Sequence, residues 1–364
     1  MRDVAIVAFA QSAHVRRRED ANEVEMLMPV LHQVKADAGL DQRDIDFTCS
    51  GSADYLAGAA FSFVMALDGV GAWPPISESH VEMDGAWALY EAWVKIQTGD
   101  ADTALVFGYG KSSPGSLRDV LTRQLDPYYV APLWPDSIAL AALQARACID
   151  AEVTTTAEMA AVAARSRRAA ADNPFAQLRR SDQPETLLDE PEVVAPLRRH
   201  DCPPVSDGAA AVILATGERA RQLCERPAWI RGIDHRIEAH SLGARDLTAS
   251  PSTQLAGQRA GVGRDRVDVA ELHAPFTHQE VILRRALGLP APAQPGGGAA
   301  ANGGVEVNPS GGALAANPMM AAGLVRIGEA AERIRRGQAD RAVAHATSGP
   351  CLQQNLVCLL EGDG

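Results

Sequence analysis

A chain of 364 residues with 46% hydrophobic and 22% charged residues has ample material for a core and is long enough for two domains or one duplicated one. Its 34 basic against 46 acidic residues leave a net charge of −12, which argues against a surface tracking nucleic-acid phosphates. No apolar run approaches the ~20 residues of a membrane span; the chain opens directly on the strand-like VAIVAFA, and its six cysteines contain no CxxC pair, so a cytoplasmic protein with free thiols and no metal site is expected.

In chain order, Val4–Ala10 reads as a buried strand and Glu23–Ala38 as a helix with Met26, Leu27, Val30, Leu31 and Val34 on one face. Ile45–Cys49 reads as a strand, Leu56–Leu67 as a helix, and Ser79–Met83 as a third strand. Trp87–Gln97 reads as a helix closed by Gly99, ahead of the strand Thr103–Tyr109. Such alternation predicts a largely parallel sheet covered by helices. From Lys111 to about Pro204 the periodicity breaks into a Pro- and aromatic-rich section, LDPYYVAPLWPDS, followed by helices near Ile138–Ile149 and Thr156–Ala171, as an insertion over the core would.

Asp207–Thr216 returns to a strand, after which the opening pattern repeats. Strands are expected at Trp229–Asp234, Val267–His273, Arg341–Ala346 and Leu356–Leu360, and helices at Ser252–Ala260, Phe276–Leu287 and Met319–Arg335. Pro290–Gly304 reads as a low-complexity loop. In Val305–Gly328 an Asn-Pro-Ser-Gly-Gly turn feeds an apolar, small-residue helix whose start, around Gly311, Gly312 and Ala313, offers backbone amides to a ligand or packs tightly in the core.

KIQTGDADTALVFG at Lys95–Gly108 runs in register with RIRRGQADRAVAHA at Arg333–Ala346, pairing Gly99 with Gly337 and Asp102 with Asp340. The chain therefore reads as two duplicated halves, 1–216 with an inserted region at about 111–204, and 217–364. A pseudo-two-fold axis between them would bring Glu82-Met83-Asp84-Gly85 close to the Asn-Pro-Ser-Gly-Gly stretch.

Three segments carry a family resemblance: Ser206-Asp207-Gly208-Ala209-Ala210-Ala211, Glu271-Leu272-His273-Ala274-Pro275-Phe276-Thr277 and Asn308-Pro309-Ser310-Gly311-Gly312. Over nearly its whole length the chain resembles the thiolase superfamily, in the branch of lipid-transfer proteins related to the sterol carrier protein X thiolase. The resemblance implies a thiolase fold, an α/β architecture of five layers, αβαβα, built from two duplicated half-domains. It also implies a dimer with itself or with another thiolase-like chain, and acyl-coenzyme A thioesters as substrates, with no cofactor beyond the coenzyme A that the substrate carries.

The sequence departs from that pattern where a thiolase does its chemistry. A thiolase needs a cysteine at the start of the third helix, where this chain has Glu82, Met83, Asp84 and Gly85. Where the family has Gly-His-Pro, this chain has Ala316-Asn317-Pro318, and an amide cannot shuttle a proton at neutral pH. Near the second thiolase cysteine stand His345 and, six residues later, Cys351.

His273, His345, Asn317, Asp84 and Glu82 are the expected catalytic set, with Asn308, Gly311, Gly312, Cys351, Tyr128 and Trp134 as substrate-binding residues. With His273 or His345 as base and acid, and Asn317 with local backbone amides as enolate donors, such a set without a nucleophile suits retro-aldol cleavage of a β-hydroxyacyl-CoA. The resemblance to steroid side-chain aldolase subunits implies a small OB-fold and zinc-ribbon partner. A non-catalytic thiolase-fold subunit and an acyltransferase remain as alternatives. Asp84 and Glu82 also suit helix capping, and Tyr128 with Trp134 suits an interface as well as a pocket.

Overall fold

A computed structural model describes residues 1–292 and 304–363, so most of the loop expected at Pro290–Gly304 lies outside the described residues. Its strands are β1 (Val4–Gln11), β2 (Phe47–Gly51), β3 (Glu78–Val81), β4 (Thr103–Gly110), β5 (Glu192–Val194), β6 (Leu197–Arg198) and β7 (Gly208–Thr216), then β8 (Ala228–Ile237), β9 (Val269–Leu272), β10 (Glu306–Val307), β11 (Arg341–Ser348) and β12 (Gln354–Glu361). Apart from the small β5–β6 hairpin they form a single sheet in the order β10-β9-β11-β12-β8-β1-β7-β4-β2-β3.

That order contains the same five-strand arrangement twice. In each half the second strand pairs in parallel with the third and fourth, and the fifth runs antiparallel between the fourth and the first. The halves meet where β1 and β8 pair antiparallel, Ala5 opposite Trp229. The repeat extends to single side chains. Asp46, just before β2, accepts the N–H groups of Asp102 and Thr103. Asp268, just before β9, accepts those of Asp340 and Arg341.

Period-two alternation sorts the strand residues into layers. Val4 and Ile6 of β1, with Leu356, Cys358 and Leu360 of β12, face a central cluster around two buried helices, Gly85–Thr98 and Ala322–Arg335. Ala5 and Val7 face an outer layer with the helix Glu23–Ala38, and Val357 and Leu359 face another with the helices Pro251–Ala260 and Thr277–Ala286. Helix, one half of the sheet, central helices, the other half of the sheet and helix make the five layers. Local signals hold the ends: Asn22 and Glu25 form a capping box at the first helix, and Gly39 and Gly99 close their helices in the left-handed region.

Three expectations from the sequence differ from the structure. The sheet expected to be largely parallel is mixed, with four parallel and five antiparallel pairings, because the strands nearest the junction of the halves run antiparallel to their neighbours. The helix expected at Leu56–Leu67 is two, Asp54–Ala57 and Phe63–Val70, because Gly58 and Phe61 take positive φ and the Asp54 carboxylate accepts the Phe61 and Ser62 N–H groups. The helix expected at Met319–Arg335 begins at Ala322. Before it come β10, a turn, one short helix at Gly312–Ala315 and a break. Pro318 has no N–H to donate, and the Asn317 N–H is taken by the Ser206 hydroxyl at 3.0 Å. In the inserted region the helices Ser137–Asp150 and Thr156–Ala169 lie over the second half, where Val162 packs with Val281 and Leu314.

A candidate active site at the paired helix starts

Asp84 is the N-cap of the central helix Gly85–Thr98 and accepts the Ala86 N–H at 2.9 Å. Its carboxylate also accepts the N–H groups of Gly323 (2.8 Å) and Leu324 (3.0 Å), at the start of the other central helix. The N-cap position of that second helix, Ala321, has no side chain able to cap. One carboxylate therefore closes both helix starts, where the partial positive charge of each dipole favours an anion. The fit depends on glycine: a Cβ on Gly323 would lie 2.6 Å from the Asp84 carboxylate, and one on Gly110 1.9 Å from the Met319 carbonyl. Burial pushes the Asp84 carboxyl above its ordinary pKa, against the opposing pull of the three amide donors and Arg326.

His273 follows β9 directly. Its backbone N–H is held by the His345 carbonyl at 3.1 Å. Its Nδ1 faces the Thr347 N–H at 3.3 Å, and its Nε2 lies 3.0 Å from Asn317 Oδ1. Burial brings its pKa down to about 4, so the ring is neutral at physiological pH. Asp84, His273, Asn317, Thr347 and Cys351 line one cavity of about 410 Å³, walled by Leu117, Leu121, Leu125, Leu140, Phe276 and Met319. No lysine or arginine is among the described residues lining it. A larger groove of about 1080 Å³ beside Phe9, Arg18 and Arg333 shares none of those five polar and thiol residues.

The other residues expected from the sequence stand elsewhere. His345 is fully buried within β11, its Nε2 3.0 Å from Asn355 Oδ1, and does not line the cavity. Burial lowers its pKa to about 3. Glu82 is exposed and accepts the Asp54 N–H at 2.6 Å. Tyr128 and Trp134 are 81% and 54% exposed, outside the cavity wall.

Asn308, at φ 50°, accepts the Leu272 N–H at 2.7 Å, so it fixes the end of β9 just before His273. Gly311 and Gly312 lie under the helix Thr156–Ala169, where a Cβ on Gly311 would meet that of Ala170 at 2.5 Å. Ser310 binds the buried Glu271 carboxylate, which pairs with Arg326 at 2.7 Å. The small residues of this stretch thus pack a buried turn, and the chain reaches the cavity only from Asn317 onward, through Asn317, Met319 and Met320. Cys351 lines the cavity, but its thiol donates to the Leu140 carbonyl at 3.4 Å and burial pushes its pKa up to about 12. Cys202, beside His200 in sequence, is likewise held up at about 12.

Residues that sequence reasoning did not select also line the cavity: Tyr55, Gln279, Thr347 and Gln353. Gln279 stands six residues after His273, within reach of the same segment, whereas Tyr55 and Thr347 carry no local signal. Among the described residues no three His, Cys, Asp or Glu converge as a metal site, and no helix is long and apolar enough to cross a membrane.

Comparison with known proteins shows what this chain is similar to. The family model for a thiolase C-terminal domain-like region matches residues 235–357. An acetyl-CoA acetyltransferase of Methanothermobacter thermautotrophicus is 26% identical, over 96% of this chain and 95% of its own. Sterol carrier protein 2 of Gallus gallus is 26% identical over 88% of this chain and 63% of its own length. The 17-hydroxy-3-oxo-4-pregnene-20-carboxyl-CoA lyase of Mycobacterium tuberculosis is 26% identical over 74% of each chain. In solved structures the fold matches the Ltp2-ChsH2(DUF35) aldolase with a TM-score of 0.82 at 22% identity, over 99% of this chain and 98% of that one. It matches human mitochondrial 3-ketoacyl-CoA thiolase with a TM-score of 0.76 at 16% identity, over 100% and 99%. The chain has the fold of the thiolases, and in sequence it is similar to sterol carrier protein 2, to a steroid-CoA lyase and, over residues 235–357, to the thiolase C-terminal domain-like family.

Proposed function

We propose that the chain is a carbon–carbon lyase subunit that cleaves a β-hydroxyacyl-CoA by retro-aldol chemistry, without a covalent acyl-cysteine. The observation that carries this reading is Asp84: a carboxylate stands at the doubled helix start in the cavity wall, where the resemblance led us to expect a thiol. A carboxylate has about four acceptor positions, and three of these are used by amide N–H groups, which leaves one on Oδ2. Burial makes it a stronger base than an exposed aspartate.

In the proposed reaction Asp84 takes the proton of the β-hydroxyl. The Cα–Cβ bond breaks, a ketone or aldehyde leaves, and the electron pair moves into a thioester enolate. Asn317 Nδ2–H and local backbone amides hold the enolate oxygen. The proton on Asp84 then returns to Cα, giving the shortened acyl-CoA, so one group serves as base and acid. His345, buried behind the wall, has no direct part.

The apolar wall suits a bulky acyl group, of which a steroid side chain is one class. The lack of lysine and arginine among the described lining residues leaves the phosphates of coenzyme A to be met outside the cavity. A small OB-fold and zinc-ribbon partner would meet that need, and the structurally similar aldolase is itself a complex of Ltp2 with ChsH2(DUF35). The acetyl-CoA acetyltransferase relative favours acyl transfer as a second reading, for which Cys351 would have to serve as the thiol.

The test is to incubate the purified chain, alone and with such a partner, with a β-hydroxyacyl-CoA and to follow the shortened acyl-CoA by chromatography. Cleavage that survives iodoacetamide supports the lyase reading. Acetyl transfer between acetyl-CoA molecules that iodoacetamide abolishes would replace it with the second. Product formed only with another thiolase-like chain present, and insensitive to Asp84→Asn here, would make this chain a scaffold.

A further inference from the structure

The hydrogen-bond partners of His273 fix more than its position. The Thr347 backbone N–H, a group that can only donate, faces Nδ1 at 3.3 Å, so the lone pair of the neutral ring is on Nδ1 and its proton is on Nε2. That Nε2–H lies 3.0 Å from the Asn317 side chain, which must present its oxygen there. Once Oδ1 is turned to His273, the Nδ2 amide group points the other way. It has no partner among the described residues, although Asn317 lines the cavity. The Asn317 backbone is fixed from the opposite half of the molecule: its N–H donates to the Ser206 hydroxyl, which donates to Gln177 Oε1 at 2.7 Å.

We infer that His273 and Ser206 are positioning residues that aim the Asn317 amide into the cavity, and that His273 acts as a fixed Nε2–H donor and never as the base. The inference rests on the lyase reading for its catalytic consequence, while the tautomer itself does not. The charged and titratable groups around the ring support it. Arg326 opposes protonation of His273, buried His345 feels the His273 ring electrostatically, and Asp84 stands in the same cavity wall. A protonated His273 would break its Nδ1 bond to Thr347, since both ring nitrogens would then be donors. A neutral donor keeps the amide aimed throughout the reaction, and such a preorganised donor needs no rearrangement as charge develops on the thioester oxygen.

Two measurements test this on the full chain with its partner. Nitrogen-15 spectra of histidine-labelled protein should show His273 with a protonated Nε2 and a bare Nδ1 from pH 8 down to pH 5. A bare Nε2 overturns the inference whether or not the protein has lyase activity. In turnover, His273→Ala should lower kcat with KM little changed, by less than the about 10²–10³-fold expected for losing the donor itself. His273→Gln, which keeps an N–H within reach of Oδ1, should restore most of that loss. If the Gln variant folds as wild type by thermal melt and is as slow as the Ala variant, His273 moves a proton and the inference fails. Asn317→Asp is the control: it removes the amide donor and places a carboxylate on Nε2, so it should abolish the gain in turnover while shifting the His273 resonances toward the doubly protonated form. Unchanged resonances there would also overturn the inference.

Discussion

The two central helices lie in equivalent places of a duplicated sheet, yet they begin differently. The helix Gly85–Thr98 starts at its own cap, Asp84. The helix Ala322–Arg335 has no cap of its own, borrows Asp84 for its Gly323 and Leu324 N–H groups, and is preceded by the break that exposes Asn317. Backbone symmetry thus survives where side-chain chemistry has diverged: the first half supplies the capping carboxylate of Asp84, and the second the neutral side chain of Asn317. A site between two such halves requires both to be folded and correctly docked, because the carboxylate of one is a structural part of the other.

The halves also differ in buried titratable groups, and acid should break the comparison most strongly. Three histidines of the second half, His273, His278 and His345, are held down at about 4, 3 and 3 by burial, and the half-buried His235 is lowered as well, against one in the first half, His14, at about 3. Their folded values lie below the unfolded one, so the stability they contribute is complete above about pH 6.5 and is lost as pH falls toward the folded values. Each contributes a slope of about 1.4 kcal/mol per pH unit in that window, about 4 for the three together. Asp84 and Glu329, held up by burial, act in the opposite sense and soften the loss. Hydrogen exchange between pH 6.5 and 4 should show β9, β11 and the helix Thr277–Ala286 opening before β2 and β4. Equal loss of protection in both halves would show that the second half carries no special acid sensitivity.

Next in size is the shared carboxylate. Asp84→Ala should reduce turnover by about 10²–10⁴-fold, the range for a positioned base. It should also cost about 1–2 kcal/mol for each of the two helix starts in a urea titration. Asp84→Asn keeps one acceptor oxygen and should lose activity with a smaller loss of stability. If the stability effect of Asp84→Ala were confined to the helix Gly85–Thr98 in hydrogen exchange, the borrowed cap would be refuted. On the other side, Asn317→Ala should lower kcat by about 10²–10³-fold and leave KM and the melting temperature close to wild type. A loss in KM alone would make Asn317 a binding residue and not an enolate donor.

Much of the fold was legible in the sequence because it rests on periodicity and on a repeat. The register of Gly99 with Gly337 and Asp102 with Asp340 falls on two equivalent strand starts, and the structure adds that each is held by the aspartate before its neighbouring strand. The site was legible in part. Asp84 and Asn317 occupy motif positions and lie in one wall, but His345 was read at a strand end and stands inside one. β11 runs on to Ser348 because positive φ at Gly349, Cys351 and Leu352 makes a tight connection that keeps Ser348 opposite Gln354. Tyr128 and Trp134 were visible as an aromatic cluster, but the direction of their side chains is set by local turns: Asp126 accepts the Tyr128 and Tyr129 N–H groups, and Trp134 takes φ 50°. Thr347 is invisible to composition because it acts through its backbone N–H.

The smallest predicted effect is the sharpest control on the shared carboxylate. Glu82 stands two residues from Asp84, and both were read from the sequence as either caps or catalysts. Position in the chain cannot separate them, whereas burial does. Asp84 is 2% exposed with three amide donors from two helices, and Glu82 is exposed with one bond, from the Asp54 N–H at 2.6 Å. The Asp54 carboxylate in turn holds the Phe61 and Ser62 amides, so Glu82 tethers the loop between two short helices. Glu82→Gln keeps an oxygen able to accept that N–H, and an exposed substitution of this kind should move stability by no more than about 0.5 kcal/mol. Turnover should change by less than about threefold, a barrier difference of about 0.6 kcal/mol. A loss matching that of Asp84→Asn would move the base out of the buried cap and into the exposed loop, and with it the claim that the doubled helix start is the chemical centre of the site.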